Sequence, residues 1–234
     1  MKHYRHLLAA AVISAIGSTA VPALADDDQY LRELSAQWWQ WALSIPTATN
    51  PLPDLTGGLC MAGQRGQVWF LAGTVSASGT PPPVVRTCDV PEGMALFFPV
   101  INAVNFNSPG CFQDNRDLSV AELRALVAPG VDAASGLSIL LDNRPVRPRR
   151  VRSVPFAVTL PPQDLFSVTF GIPCLVPGRV YSPAVDDGYY VLLRGLSVGQ
   201  HHLSFRGSIP GFSLDAFYTL NVRETRFKQS ERWP

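Results

Sequence analysis

Beyond Pro129-Gly130 the chain is a succession of short apolar runs parted by Pro, Gly and Asp-Asn joints. Runs of that length bounded by turn residues read as strands. They fall at Leu137–Leu141, Phe156–Leu160, Ser167–Phe170, Tyr189–Leu193, His201–Gly207 and Phe217–Val222. Turns are expected at Asp142-Asn143, at Asp186-Asp187-Gly188 with Gly188 at positive φ, and from Ser208 to Gly211. Earlier strands are expected at Gln67–Gly73, Val84–Cys88 and Met94–Asn102, where Pro99 calls for a bulge or an edge. Many short strands with such joints predict a mainly β, single-domain β-sandwich or jelly roll. No internal repeat or linker divides residues 26–234.

Two helices are expected before that run. From Asp26 to Ser44, Tyr30, Leu34, Trp38, Trp41 and Ile45 recur at spacings of three and four, which is one face of a helix. Asp26, Asp27 and Asp28 suit its positive end, and Pro46 stops it. Trp38 and Trp41 are expected to dock on a sheet, leaving Trp39 as the freer ring; the alternative use of the cluster is a platform for sugar rings. A short second helix opens at Ser119, where Ser119-Val120-Ala121-Glu122 fits a capping box, and should stop near Val127, before Pro129.

Residues 1–25 read as an address. Lys2 and Arg5 precede an apolar run from Leu7 to Val21, and Ala23-Leu24-Ala25 fits a cleavage site, so residues 1–25 are expected to be a signal peptide. The run is too short to span a bilayer. Without it the chain has 17 Arg and Lys against 18 Asp and Glu, a net charge of −1. Such a balance in an exported chain argues against nucleic acid as a partner. Only His201, His202 and Lys228 then remain of the histidines and lysines. A His-rich metal site and Schiff-base chemistry away from Lys228 are excluded, and no cofactor is implied.

Four cysteines in an exported chain read as two disulfides. Three pairings of Cys60, Cys88, Cys111 and Cys174 are open, and the uncrossed one, Cys60–Cys88 with Cys111–Cys174, is preferred. Each closed loop would constrain the unfolded chain by about 3.5 to 4.5 kcal/mol in the chain-entropy account. The spacings fit no zinc pattern.

Three blocks carry a resemblance. They are Cys60-x-x-Gly63-Gln64-x-Gly66-x-Val68-Trp69-Phe70-Leu71-Ala72-Gly73; Arg86-x-Cys88-x-Val90-Pro91-x-Gly93 with Leu96-Phe97-Phe98-Pro99-Val100; and Asp187-Gly188-Tyr189-Tyr190 with Gly199-x-His201-x-Leu203-x-Phe205-x-Gly207. Together they resemble a family of secreted bacterial β-sandwich proteins. The resemblance implies an exported sandwich and brings no catalytic residues.

The strongest charge feature is Arg144, Arg147, Arg149, Arg150 and Arg152, held extended by two prolines. Guanidinium groups make two-point contacts with carboxylate and phosphate, so an anionic glycan or lipopolysaccharide is a candidate partner. The alternative is a solvated loop whose arginines pair with acidic residues. His201 or His202 would serve as a general base only beside a carboxylate, and Asp186 and Asp187 are the nearest hint. Two adjacent aspartates are a weak calcium signal. No HExxH or phosphate-binding glycine loop is present. The sequence therefore reads as a binding or structural module, with a polysaccharide-active hydrolase or lyase on a jelly roll as the alternative.

Overall fold

Met94–Asn102 is apolar at nearly every position because the strand it forms is covered on both faces. In this computed structural model, which describes residues 23–76, 79–111 and 113–224, the strand is β3 (Ala95–Phe106). Leu96, Phe98 and Val100 face a second sheet, while Phe97 faces the N-terminal helix α1 (Ala23–Ser44). A strand with water on one side would alternate; this one does not. The expected signal peptide lies outside the described residues except for its last three, and Lys228 lies outside them too.

Among the described residues two five-stranded sheets and three helices stack as helix, sheet, sheet. The covered sheet runs β1 (Val68–Phe70), β3, β8 (Val180–Leu193), β6 (Arg149–Arg152), with β7 (Phe156–Thr159) following β6 beside β8. The other runs β2 (Val84–Pro91), β10 (Phe212–Arg223), β9 (Gly199–Ile209), β4 (Ser135–Leu141), β5 (Arg144–Val146). Its outer face is open to water, so β2 and β10 alternate buried and exposed residues. The expected mainly β sandwich with an N-terminal helix is the observed fold. Cys60 bonds Cys88 and Cys111 bonds Cys174, the uncrossed pairing. The first staples residues 54–60 to the edge strand β2, and Gly57 packs so closely there that a Cβ would meet Thr87 backbone at 2.9 Å.

Several local expectations hold. The Ser119 capping box opens α2 (Val120–Asp132), and Asp142 and Asn143 turn β4 into β5 at positive φ. Pro99 sits at a register shift between β3 and β8. Three expectations fail. Ser167–Phe170 is not a strand but the end of α3 (Leu165–Phe170), capped by Asp164, whose carboxylate accepts from the Phe166 and Ser167 N–H groups, and closed by Gly171 at φ 66°. Aspartate at the start and glycine at the end outweighed the apolar run between them. α2 continues past Val127, with Pro129 inside it, because Val131 extends the buried face made by Leu123 and Val127. Asp186-Asp187-Gly188 is not a turn. All three lie inside β8, and Gly188 is needed because a Cβ there would come 2.5 Å from that of Asn102 on β3.

Buried Arg86 ties the loops to the sandwich. Its guanidinium donates to the carbonyls of Pro51, Leu52, Asp54, Ala72 and Gly73 and to the Tyr218 hydroxyl, at 2.6 to 3.2 Å. Only arginine carries a fork of five donors able to serve so many acceptors.

Candidate functional site

Successive residues of a strand point to opposite faces, and Asp186 and Asp187 use that alternation to serve two different sets of partners. Asp186 points under α1. The Trp39 indole and the Tyr190 hydroxyl both donate to its Oδ1, at 2.7 and 2.8 Å, and Ser153 Oγ accepts from its backbone N–H. Its Oδ2 is buried with no hydrogen-bond partner. Complete burial drives the Asp186 carboxyl toward its neutral form, against the pull of the Tyr190 and Trp39 donors and of the nearby Ser35 hydroxyl, which is too poorly aligned to count as a hydrogen bond. Trp39 is therefore not the freer ring that the helical spacing implies. It is 9% exposed and belongs to the same buried cluster as Trp38 and Trp41.

Asp187 points the other way and gathers arginines. Arg150 grips it with two parallel bonds, Nε to Oδ1 at 2.9 Å and Nη2 to Oδ2 at 2.8 Å, while Arg152 Nε reaches Oδ2 at 3.2 Å. Arg150 also pairs with Asp132 at the end of α2, at 2.6 Å. The Asp187 bonds, more than the Asp132 pair, hold the Arg150 guanidinium above its ordinary range.

Around this pair of strands lies a depression of about 500 Å³ that wraps over β6. Five arginines line it: Arg149, Arg150 and Arg152 from β6, Arg32 from α1 and Arg124 from α2. Asp28 also lines it and pairs with Arg149. Arg32 and Arg124 donate instead to backbone carbonyls, those of Arg152 and Ser153. The Arg124 guanidinium is pushed below its ordinary range, first by burial and then by Arg32 and Arg152. Positive charge thus exceeds what Asp28, Asp132 and Asp187 balance.

The expected arginine cluster is divided by the fold. Arg149, Arg150 and Arg152 stand on β6 in the covered sheet, whereas Arg144 opens β5 in the other sheet and Arg147 lies in the connection between them. Neither Arg144 nor Arg147 lines the depression. The stretch is accordingly not one loop but two edge strands. Arg32 and Arg124 carried no joint signal in the sequence, although Asp28 and Arg32, four residues apart on α1, share one helix face.

His201 finds its carboxylate in Asp142, not in Asp186 or Asp187. Its Nδ1 lies 2.7 Å from Asp142 Oδ2, and its Nε2 lies 2.9 Å from the Ser197 carbonyl and 3.3 Å from Ser197 Oγ. Serine, histidine and aspartate thus stand in the order of a nucleophilic triad. The shorter of the two Nε2 contacts is to the carbonyl, which can only accept, and a ring that donates its Nε2 hydrogen there has no lone pair left to take a proton from Ser197. The Asp142 hydrogen bond raises the His201 pKa, which favours the doubly protonated ring. Asp142 and His201 pair across the β4–β9 end of the sheet. The two aspartates of the calcium hint are likewise engaged, one by Trp39 and Tyr190, the other by Arg150 and Arg152.

No helix among the described residues is long and apolar enough to cross a membrane. Comparison with family models, with curated proteins and with solved structures finds no match.

Proposed function

We propose that the chain is an exported, disulfide-stapled binding module that takes an anionic group in the arginine depression around β6. The observation that carries this reading is the imbalance there: five guanidinium groups from three elements face three carboxylates. Asp187 fixes Arg150 and Arg152 in place, so part of the ordering that binding requires is done in advance. A carboxylate, sulfate or phosphate entering between Arg32, Arg124 and Arg149 would relieve their mutual repulsion and accept two-point bonds. Acidic glycans and the phosphorylated sugars of lipopolysaccharide present such groups outside the cytoplasm. The two disulfides support an oxidising compartment, and the resemblance to secreted sandwich proteins is of a piece with it.

The test is titration with an acidic polysaccharide and with lipopolysaccharide, comparing the parent with Arg32→Gln/Arg149→Gln. That pair spares Arg150 and so leaves Asp187 matched. The double variant is expected to bind at least tenfold more weakly, while Arg144→Gln/Arg147→Gln binds as the parent does. Equal weakening by both pairs would show a diffuse charge effect and no site.

A further inference from the structure

β1 ends at Phe70, opposite Phe97, but β3 continues to Phe106. Beyond the end of β1 the chain leaves the sheet through residues 71–76, and a cleft of about 210 Å³ remains beside the Pro99 bulge. Its walls include Trp39 from α1, Phe170 from α3, and Phe212 and Leu214 from the start of β10. None of the residues lining it is charged. Thr74, Ser76 and Asn102 are the polar side chains among its walls. Asn102 donates from Nδ2 to the Tyr190 hydroxyl at 3.0 Å, so its amide is held by the same network that holds Trp39. Thr74 is 6% exposed, and its hydroxyl is buried without a hydrogen-bond partner.

We infer that this cleft is a second ligand site, separate from the arginine depression, for a small neutral molecule built on one ring and carrying one hydroxyl or carbonyl. Three observations define that class. An apolar cavity of about 150 Å³ holds benzene, so about 210 Å³ admits a ring with two or three further heavy atoms. A charged ligand would lose its hydration among uncharged walls and gain no counter-charge. The Thr74 hydroxyl is wholly covered and has no partner; a turn of its χ1 toward the cleft would let a ligand oxygen supply one, and buried hydroxyls without a partner are uncommon in folded proteins. The indole and the two phenyl groups present flat faces suited to stacking on a ring.

The experiment follows the indole N–H signals of the intact protein by two-dimensional NMR during titration with benzyl alcohol, toluene and benzoate. Benzyl alcohol is expected to shift the Trp39 signal saturably and leave that of Trp69, buried between the sheets, in place. Toluene should bind at least fivefold more weakly, and benzoate should leave Trp39 unmoved even where it occupies the arginine depression. Thr74→Val removes the hydroxyl and keeps the shape, so toluene and benzyl alcohol should then bind equally. The variant should also melt no lower than the parent, since no partner is lost. Absence of any Trp39 shift, an equal response to benzoate, a preference for the alcohol that survives Thr74→Val, or a variant that fails to fold would each overturn the inference.

Discussion

The Trp39 indole donates to Asp186 Oδ1 at 2.7 Å across the interface between α1 and β8, joining residues 147 apart in sequence inside a fully buried site. This bond locates the helix on the sheet more specifically than apolar packing does, because the carboxyl has only a few donors and they stand at fixed angles. Tyr190 supplies the second donor and Asn102 extends the network to the rim of the apolar cleft.

Removing the donor should therefore hurt more than the helical spacing implies. Trp39→Phe keeps most of the buried ring but deprives a buried carboxyl of a partner, a loss of about 2 kcal/mol. Trp38→Ala, which empties a fully buried position, should cost about 3–5 kcal/mol. Denaturant midpoints with unchanged slopes measure both. A Trp39→Phe midpoint equal to that of the parent would show that the bond contributes nothing.

Asp186 sets a pH dependence with a definite sign. Its pKa is raised by folding, so between the ordinary carboxylate value and the raised one the folded chain holds a proton that the unfolded chain has released. Stability from this group is complete below about pH 4 and is lost as pH rises through the raised value. Asp186→Asn keeps an oxygen acceptor for Trp39 and Tyr190 and does not ionise. The variant should gain on the parent as pH rises toward neutrality, read from urea midpoints at a series of pH values. Parallel curves would contradict the assignment.

How much of this was legible in the sequence depends on how local the cause is. The Ser119 cap, the Asp142-Asn143 turn, the Pro99 bulge and the docking of Trp38 and Trp41 follow from residues within a few positions of one another. So does the mainly β sandwich, because strand length and turn chemistry are local. The role of Asp186-Asp187-Gly188 is not. Three turn-forming residues lie inside a strand because Trp39, Arg150 and the Cβ of Asn102 meet them there, and each comes from a distant segment. The same reason hides Arg32 and Arg124, which join the arginines of β6 only through helix packing. The division of the arginine stretch between two sheets was also invisible, since residues 147–148 between β5 and β6 read as a continuation of the same extended segment.

Arg86 is expected to tolerate no replacement, lysine included. Lysine keeps the charge but has three donors at a single point, against a fork that meets five carbonyls and a hydroxyl. Arg86→Lys should cost about 3 kcal/mol or more, since carbonyls of residues 51–54 and 72–73 are left unmatched in a buried setting. Thermal unfolding tests it, with a fall of roughly 2–4 °C per kcal/mol for a chain of this size. A change below about 1 kcal/mol would refute the role given to Arg86.

His201 and Asp142 should titrate as a pair. Asp142 holds the His201 pKa above its ordinary value, and His201 holds that of Asp142 below. Stability from the raised histidine is complete below about pH 6.5 and is lost as pH climbs through the raised value; that from the lowered aspartate is lost as pH falls through its own. Histidine NMR titration should show His201 above the free value in the parent and back toward it in Asp142→Asn. With Nε2 bound to the Ser197 carbonyl, Ser197 should also stay unlabelled by a serine-directed phosphonate. Labelling at Ser197 would restore the nucleophilic reading.

The central claim is that the depression around β6 binds an anion, and the salt dependence of binding to an acidic polysaccharide tests it most directly. Isotherms for polygalacturonate at low and at physiological salt, with the parent and Arg32→Gln/Arg149→Gln, compare the local site with the nearly neutral whole. Screening acts over about 8 Å at physiological ionic strength, so a local cluster still binds there while long-range attraction fades. The account predicts measurable binding by the parent at both salts, weaker at the higher one, with the double variant at least tenfold weaker and its salt dependence reduced. Equal isotherms for parent and variant, or no binding by the parent to polygalacturonate or lipopolysaccharide at either salt, would contradict it.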